Sequence, residues 1–86
     1  MATNSNSEIV EVRSGDDVVV VRQKVRDWAV TLGFRLVDQT RLVTAASELA
    51  RNTLQYGGGG SATIEALSNG VKKGLRLTFE DKGPGI

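Results

Sequence analysis

Four consecutive glycines, Gly57 to Gly60, divide this chain into two parts that must fold by different rules. Glycine costs about 1 kcal/mol per helical position relative to alanine, so a helix does not continue cheaply through the run. Before it, apolar residues recur at three- and four-residue spacing; after it, they alternate. The run itself reads as a flexible connection. No Gly-Lys-Ser/Thr follows it, so it is not a P-loop. A phosphate cradle would also require a following helix N-terminus or a defined nest.

Ahead of the glycines, Met1 to Ser7 is small and polar and reads as a disordered lead-in. Ile9 to Arg13 is a short β-rich run, ended by Ser14-Gly15-Asp16. Val18 to Val21 would suit a strand by propensity. The longer pattern of Val18, Val21, Val25, Trp28, Ala29 and Leu32 predicts a helix instead. Ser14 or Asp16 can cap its start, and Gly33 can close its end. Trp28 is expected as a core or partner-facing anchor rather than a stacking platform for a cofactor. Phe34 to Leu36 is a connector. A second helix runs from Val37 or Asp38 to Tyr56, with Leu42, Ala45, Ala46, Leu49 and Thr53 as its apolar stripe.

The other side of this second helix carries Arg41, Thr44, Glu48, Asn52 and Gln55. Glu48 and Asn52 lie one turn apart on one face. A carboxylate there can accept a proton or orient a hydroxyl, and an amide oxygen can bind a hard cation such as Mg²⁺. A plain solvated stripe has the same composition, so the pair alone leaves both readings open.

Beyond the glycines, Ala62 to Leu67 reads as a strand, Ser68 to Gly74 as a turn, and Leu75 to Asp81 as a further strand. Strand parity puts Leu75, Leu77, Phe79 and Asp81 on one face. Asp81 is then either a carboxylate on the helix-facing side, costly without a partner, or a turn residue after the strand has frayed. Gly83 and Gly85 flank Pro84 in a bent, backbone-accessible loop.

The composition excludes several chemistries. The chain has 86 residues, enough for one small domain. It contains neither histidine nor cysteine, which removes Ser-His-Asp catalysis, thiolate chemistry, disulfides and His-based zinc sites. Its net charge of +1 and few aromatics give no case for nucleic acid or an anionic membrane. No run approaches a membrane span, and a cytoplasmic location is expected.

Taken together, Glu48-x-x-x-Asn52 on a helix, a glycine run, two strands and Asp81-x-Gly83-x-Gly85 resemble the GHKL, or Bergerat-fold, ATPases and kinases. The stretches SELARNTLQYGGGG and EDKGPGI look most like the anti-sigma-factor serine/threonine kinases, especially the RsbT-type switch kinases. The resemblance covers nearly the whole chain from about Ile9. It implies an α/β fold, an incomplete α+β two-layer sandwich with helices on one face of a mixed sheet. It also implies ATP and Mg²⁺ as cofactors. Asn52 would ligate Mg²⁺, Glu48 would act on the attacking hydroxyl, and Asp81 would accept a hydrogen bond from the adenine amine. Gly83 and Gly85 would let the backbone pass close to the base. Implied partners are a STAS-domain antagonist protein, phosphorylated on serine or threonine, and a PP2C-type phosphatase.

The chain stops at Ile86, directly after this motif, whereas full family members continue through a nucleotide lid and further elements. A truncated domain, a partner-stabilised form or an oligomer through an exposed strand edge is therefore expected. Two other functions compete with the kinase. One is a nucleotide-free partner-binding module presenting the first helix and Trp28. The other is a different GHKL ATPase domain, for which a histidine-kinase arrangement fits less well.

Overall fold

The computed structural model describes residues 6–68 and 73–81. In chain order it forms β1 (Ser7–Val12), α1 (Gly15–Thr31), α2 (Leu36–Gly57), β2 (Gly60–Ser68) and β3 (Lys73–Asp81). The strands make one sheet in the order β1-β2-β3, with both pairings antiparallel. The two helices cover one face, giving the expected α+β sandwich. The parallel pairing that a mixed sheet would require does not occur among the described strands. Ser7, read from the sequence as the end of a disordered lead-in, is instead the first residue of β1, and just ahead of it the Ala66 amide donates to the Asn6 carbonyl at 2.7 Å.

Local chemistry sets the helix limits. The Asp17 carboxylate accepts from the backbone amides of Arg13, at 2.8 Å, and Ser14, at 3.2 Å. That satisfies donors at the start of α1 and sets negative charge at the positive end of the helix dipole. The helix closes in a Schellman arrangement, with Phe34 N–H on the Ala29 carbonyl and Gly33 N–H on the Val30 carbonyl. Gly33 takes a φ of 82°, as the periodicity predicted for a closing glycine.

The core forms where the two periods meet. α1 buries Val18, Val21, Val25 and Ala29, as its spacing predicts. β1 contributes Val10 and Val12, and β2 contributes Ala62 and Ile64. Leu75, Leu77 and Phe79 of β3 pack against the same cluster from the expected strand face. Arg76, Thr78 and Glu80 point to the exposed face, where Arg76 pairs with Glu65 across the ladder at 2.9 Å. This is the one-sided burial normal for an antiparallel sheet with helices on a single face.

α2 departs from its predicted stripe. The residues it buries are Val43, Ala46, Ser47, Ala50, Thr53 and Gly57. Ala45 is exposed, Leu49 is 42% exposed, and Leu42 is half-buried. The stripe is rotated because α2 must pack on α1 and on the sheet together, which turns its small residues inward. The hydroxyls of Ser47 and Thr53 cause no burial penalty, since they donate to the Val43 and Leu49 carbonyls at 2.8 and 2.9 Å.

The glycine run is likewise not a loose connection. Gly57 completes α2, and Gly58 caps it at φ 72°. The amides of Gly58 and Gly59 return to the Leu54 and Thr53 carbonyls. Gly60 already belongs to β2, where a Cβ would lie 1.9 Å from the Glu80 carbonyl oxygen. Close packing against β3, rather than freedom to move, is what requires glycine here.

Trp28 is half-buried against the core, and its indole Nε1–H donates to Glu8 Oε1 at 2.9 Å. Lys24 Nζ lies 2.8 Å from the other Glu8 oxygen. These two donors hold the Glu8 carboxyl below its ordinary range, Lys24 first and Trp28 second. The same contact raises the Lys24 ammonium. The anchoring role foreseen for Trp28 is therefore a clasp tying α1 to the first residues of β1.

Candidate functional site

Asp81 is the last described residue of β3 and is still in register, opposite Gly60. The strand has not frayed at this point. Its side chain lies on the helix-facing side, as parity with Phe79 requires. A Cβ built on Gly57 would sit 2.1 Å from Asp81 Cβ, 2.6 Å from Cγ and 3.0 Å from Oδ2. The carboxylate therefore rests over the last turn of α2, in space that any side chain at position 57 would occupy. Of the two readings open from the sequence, a carboxylate on the helix side is the one the fold adopts.

Asp81 is exposed at this place, open to a ligand from solvent. A carboxylate only accepts hydrogen bonds, so a ligand that meets Asp81 must donate one. An exocyclic amine has that chemistry.

Glu48 and Asn52 are both exposed, on the side of α2 turned away from its buried stripe. Helix geometry separates them by one turn and about 40°. Asp81 meets the same helix further on, about 7.5 Å of rise beyond Asn52 and on another flank. Between these positions α2 presents Leu49 and Tyr56, the latter 77% exposed. The fold thus brings Glu48 and Asn52 together and sets Asp81 at the end of the same helix, with an open apolar strip between them. Gly83 and Gly85 lie outside the described residues.

A metal would find few protein ligands here. No cluster of three or more acidic, His or Cys residues that could hold a metal occurs among the described residues. Mg²⁺ is satisfied by one or two protein oxygens when phosphates and waters supply the rest. The exposed Asn52 amide oxygen has the chemistry for that limited part.

The chain is 45% identical over 82 residues to the serine/threonine-protein kinase RsbT of Bacillus subtilis (strain 168). The match covers 95% of this chain and 62% of that kinase. The chain therefore spans less than two thirds of its relative's length. No family model matches the sequence. No solved structure matches it either. No helix among the described residues is long and apolar enough to cross a membrane.

Proposed function

We propose that this chain, 45% identical to an RsbT-type serine/threonine kinase over the stretch the two share, acts in ATP-dependent phosphorylation of a protein in a stress-response switch. The proposal carries with it the fold of the Bergerat ATPases and kinases, on the resemblance of Glu48-x-x-x-Asn52 and Asp81-x-Gly83-x-Gly85. The observation that carries the reading is the seat of Asp81: a carboxylate on the inner sheet face, over the end of the helix that bears Glu48 and Asn52.

Bound Mg²⁺·ATP would supply the phosphoryl group and neutralise charge at it, and phosphoryl transfer asks a protein mainly for positioning. Asn52 would offer an amide oxygen to the metal. Glu48 would take the proton that the acceptor serine or threonine hydroxyl loses as its oxygen bonds to the γ-phosphorus and the bond to the departing ADP breaks. Asp81 would accept from the adenine 6-amino group, and the proposal gives Gly83 and Gly85 the role of admitting the base close to the backbone. A chain without His or Cys has the groups for this reaction. The protein substrate proposed is a STAS-domain antagonist, with a PP2C-type phosphatase as a second partner, both in the cytoplasm.

The test is a nucleotide titration followed by amide NMR. Mg²⁺·ATP is expected to shift the amides of Glu48, Asn52 and Asp81, and Mg²⁺·GTP to do so weakly, because guanine presents an acceptor where adenine presents its amine. Asp81→Asn is expected to weaken ATP binding and narrow that preference, since an amide can donate as well as accept. Silence from this chain and from a form extended past Ile86 would sink the proposal.

A further inference from the structure

A groove lies on the opposite flank of α2, where it meets α1. Two adjoining cavities of about 410 and 250 Å³ run along the outer seam of the helices and share Val19 and Arg22. Arg51 and Leu54 line one, and Arg26 and Val43 line the other. The three arginines are exposed and make no ion pair among the described residues. By contrast Arg13, Lys24, Arg35 and Arg76 each pair with a carboxylate. Asp27 is the single acid among the residues lining the two cavities. Val19, 53% exposed, stands beside Arg22 on the cavity wall.

Unpaired guanidiniums around an apolar floor select a definite chemistry. Arginine presents a planar fork suited to carboxylates and loses less hydration than lysine when an interface closes over it. Val19, Val43 and Leu54 give an anchor side chain somewhere to bury. From this we infer that the α1–α2 seam is a docking groove for an acidic segment of a protein partner, one that carries an apolar anchor between its carboxylates. Charge complementarity fixes the occupant: a basic segment would meet three like charges, and a wholly polar acidic one would leave the floor wet. The groove contains neither Glu48, Asn52 nor Asp81, so it can be filled whether or not nucleotide is bound. It adjoins that site all the same. Arg51 and Gln55 sit on the strip of α2 next to Glu48, so a segment held in the groove runs close to the proposed proton acceptor.

The experiment uses two synthetic peptides with the same leucines, one carrying glutamates and the other lysines at the charged positions. Each is titrated into the chain and followed by amide NMR at low and at raised salt. The acidic peptide is expected to shift residues 15–26 and 51–55 and to weaken as salt rises. Arg22→Glu with Arg51→Glu is expected to lower its affinity at least about tenfold and to admit the lysine peptide, the sign change that charge complementarity requires. Val19→Ser, with both arginines intact, should weaken the same peptide and keep its salt dependence. Unchanged far-ultraviolet circular dichroism checks that each variant folds. Equal binding of both peptides, indifference to the charge reversal, or no shift by the acidic peptide at about millimolar concentration overturns the inference. So does arginine-dependent binding of anionic lipid vesicles by a chain that ignores the acidic peptide.

Discussion

α1 and α2 lie side by side on the same sheet, yet they use their apolar residues differently. In α1 four residues of the stripe visible in the sequence, Val18, Val21, Val25 and Ala29, are the buried ones, and its other two, Trp28 and Leu32, are half-buried on the same side. In α2 they diverge. Small residues, Ala46, Ser47, Ala50 and Gly57, go inward, while Leu49 and Tyr56 stay largely exposed. The first helix thus commits its predicted stripe to the core and turns Arg22 and Arg26 to the seam. The second is a partition with three working flanks: one packed inward, one bearing Glu48 and Asn52, and one facing the arginine-lined seam.

The comparison breaks most visibly if one substitution is placed on each helix. Val21→Asp buries an unpaired charge in a fully enclosed position and is expected to cost more than about 4 kcal/mol, enough to abolish the cooperative thermal transition. Next comes Gly57→Ala, which forces a methyl into the Asp81 side chain and is expected to cost about 1–3 kcal/mol in urea unfolding. Adding Asp81→Gly should recover most of that loss, and a double-mutant cycle measures the coupling. Simple additivity would mean that the two residues do not touch.

A smaller effect follows from Glu8. Its folded-state pKa is depressed, so its contribution to stability is complete above the ordinary carboxylate value of 4.5 and is lost as pH falls through the lowered one. Lys24 has its value raised, so its contribution is complete below 10.5 and is lost as pH climbs through the raised one. Glu8→Gln should flatten the acid side of the stability profile, and an unchanged slope there would refute the clasp. The smallest effect is expected from Leu49→Asp, within about 0.5 kcal/mol, because its site is open. A loss approaching that of Val21→Asp would show that α2 has no free flank.

What could be seen in advance follows from how far each cause acts along the chain. The five elements, the Gly33 closure and the parity of Asp81 arise from local periodicity, and these the sequence displays. The rotation of α2 is different. Ala50 and Ser47 look neutral in a stripe, and only the neighbours α1 and β2 decide that they face inward. The glycine run misleads for the same reason. A glycine signals permission, and nothing nearby in sequence announces that Asp81 and the Glu80 carbonyl will press on it. Arg22 and Arg51 come from separate helices, and no local pattern marks them as sharing one cavity. Glu48 and Asn52 were legible as a pair because helical spacing is a local rule, whereas their relation to Asp81 depends on how β3 crosses the end of α2.

The contact between positions 57 and 81 also restricts the order in which this protein could change. A larger residue at 57 is tolerated only after 81 has given up its side chain, and giving it up removes the carboxylate from the inner face. Neither step is neutral alone, so the two positions form a ratchet. A sequence that keeps the acid pays in stability for any larger residue at 57, and one that has lost both has no easy single-step return.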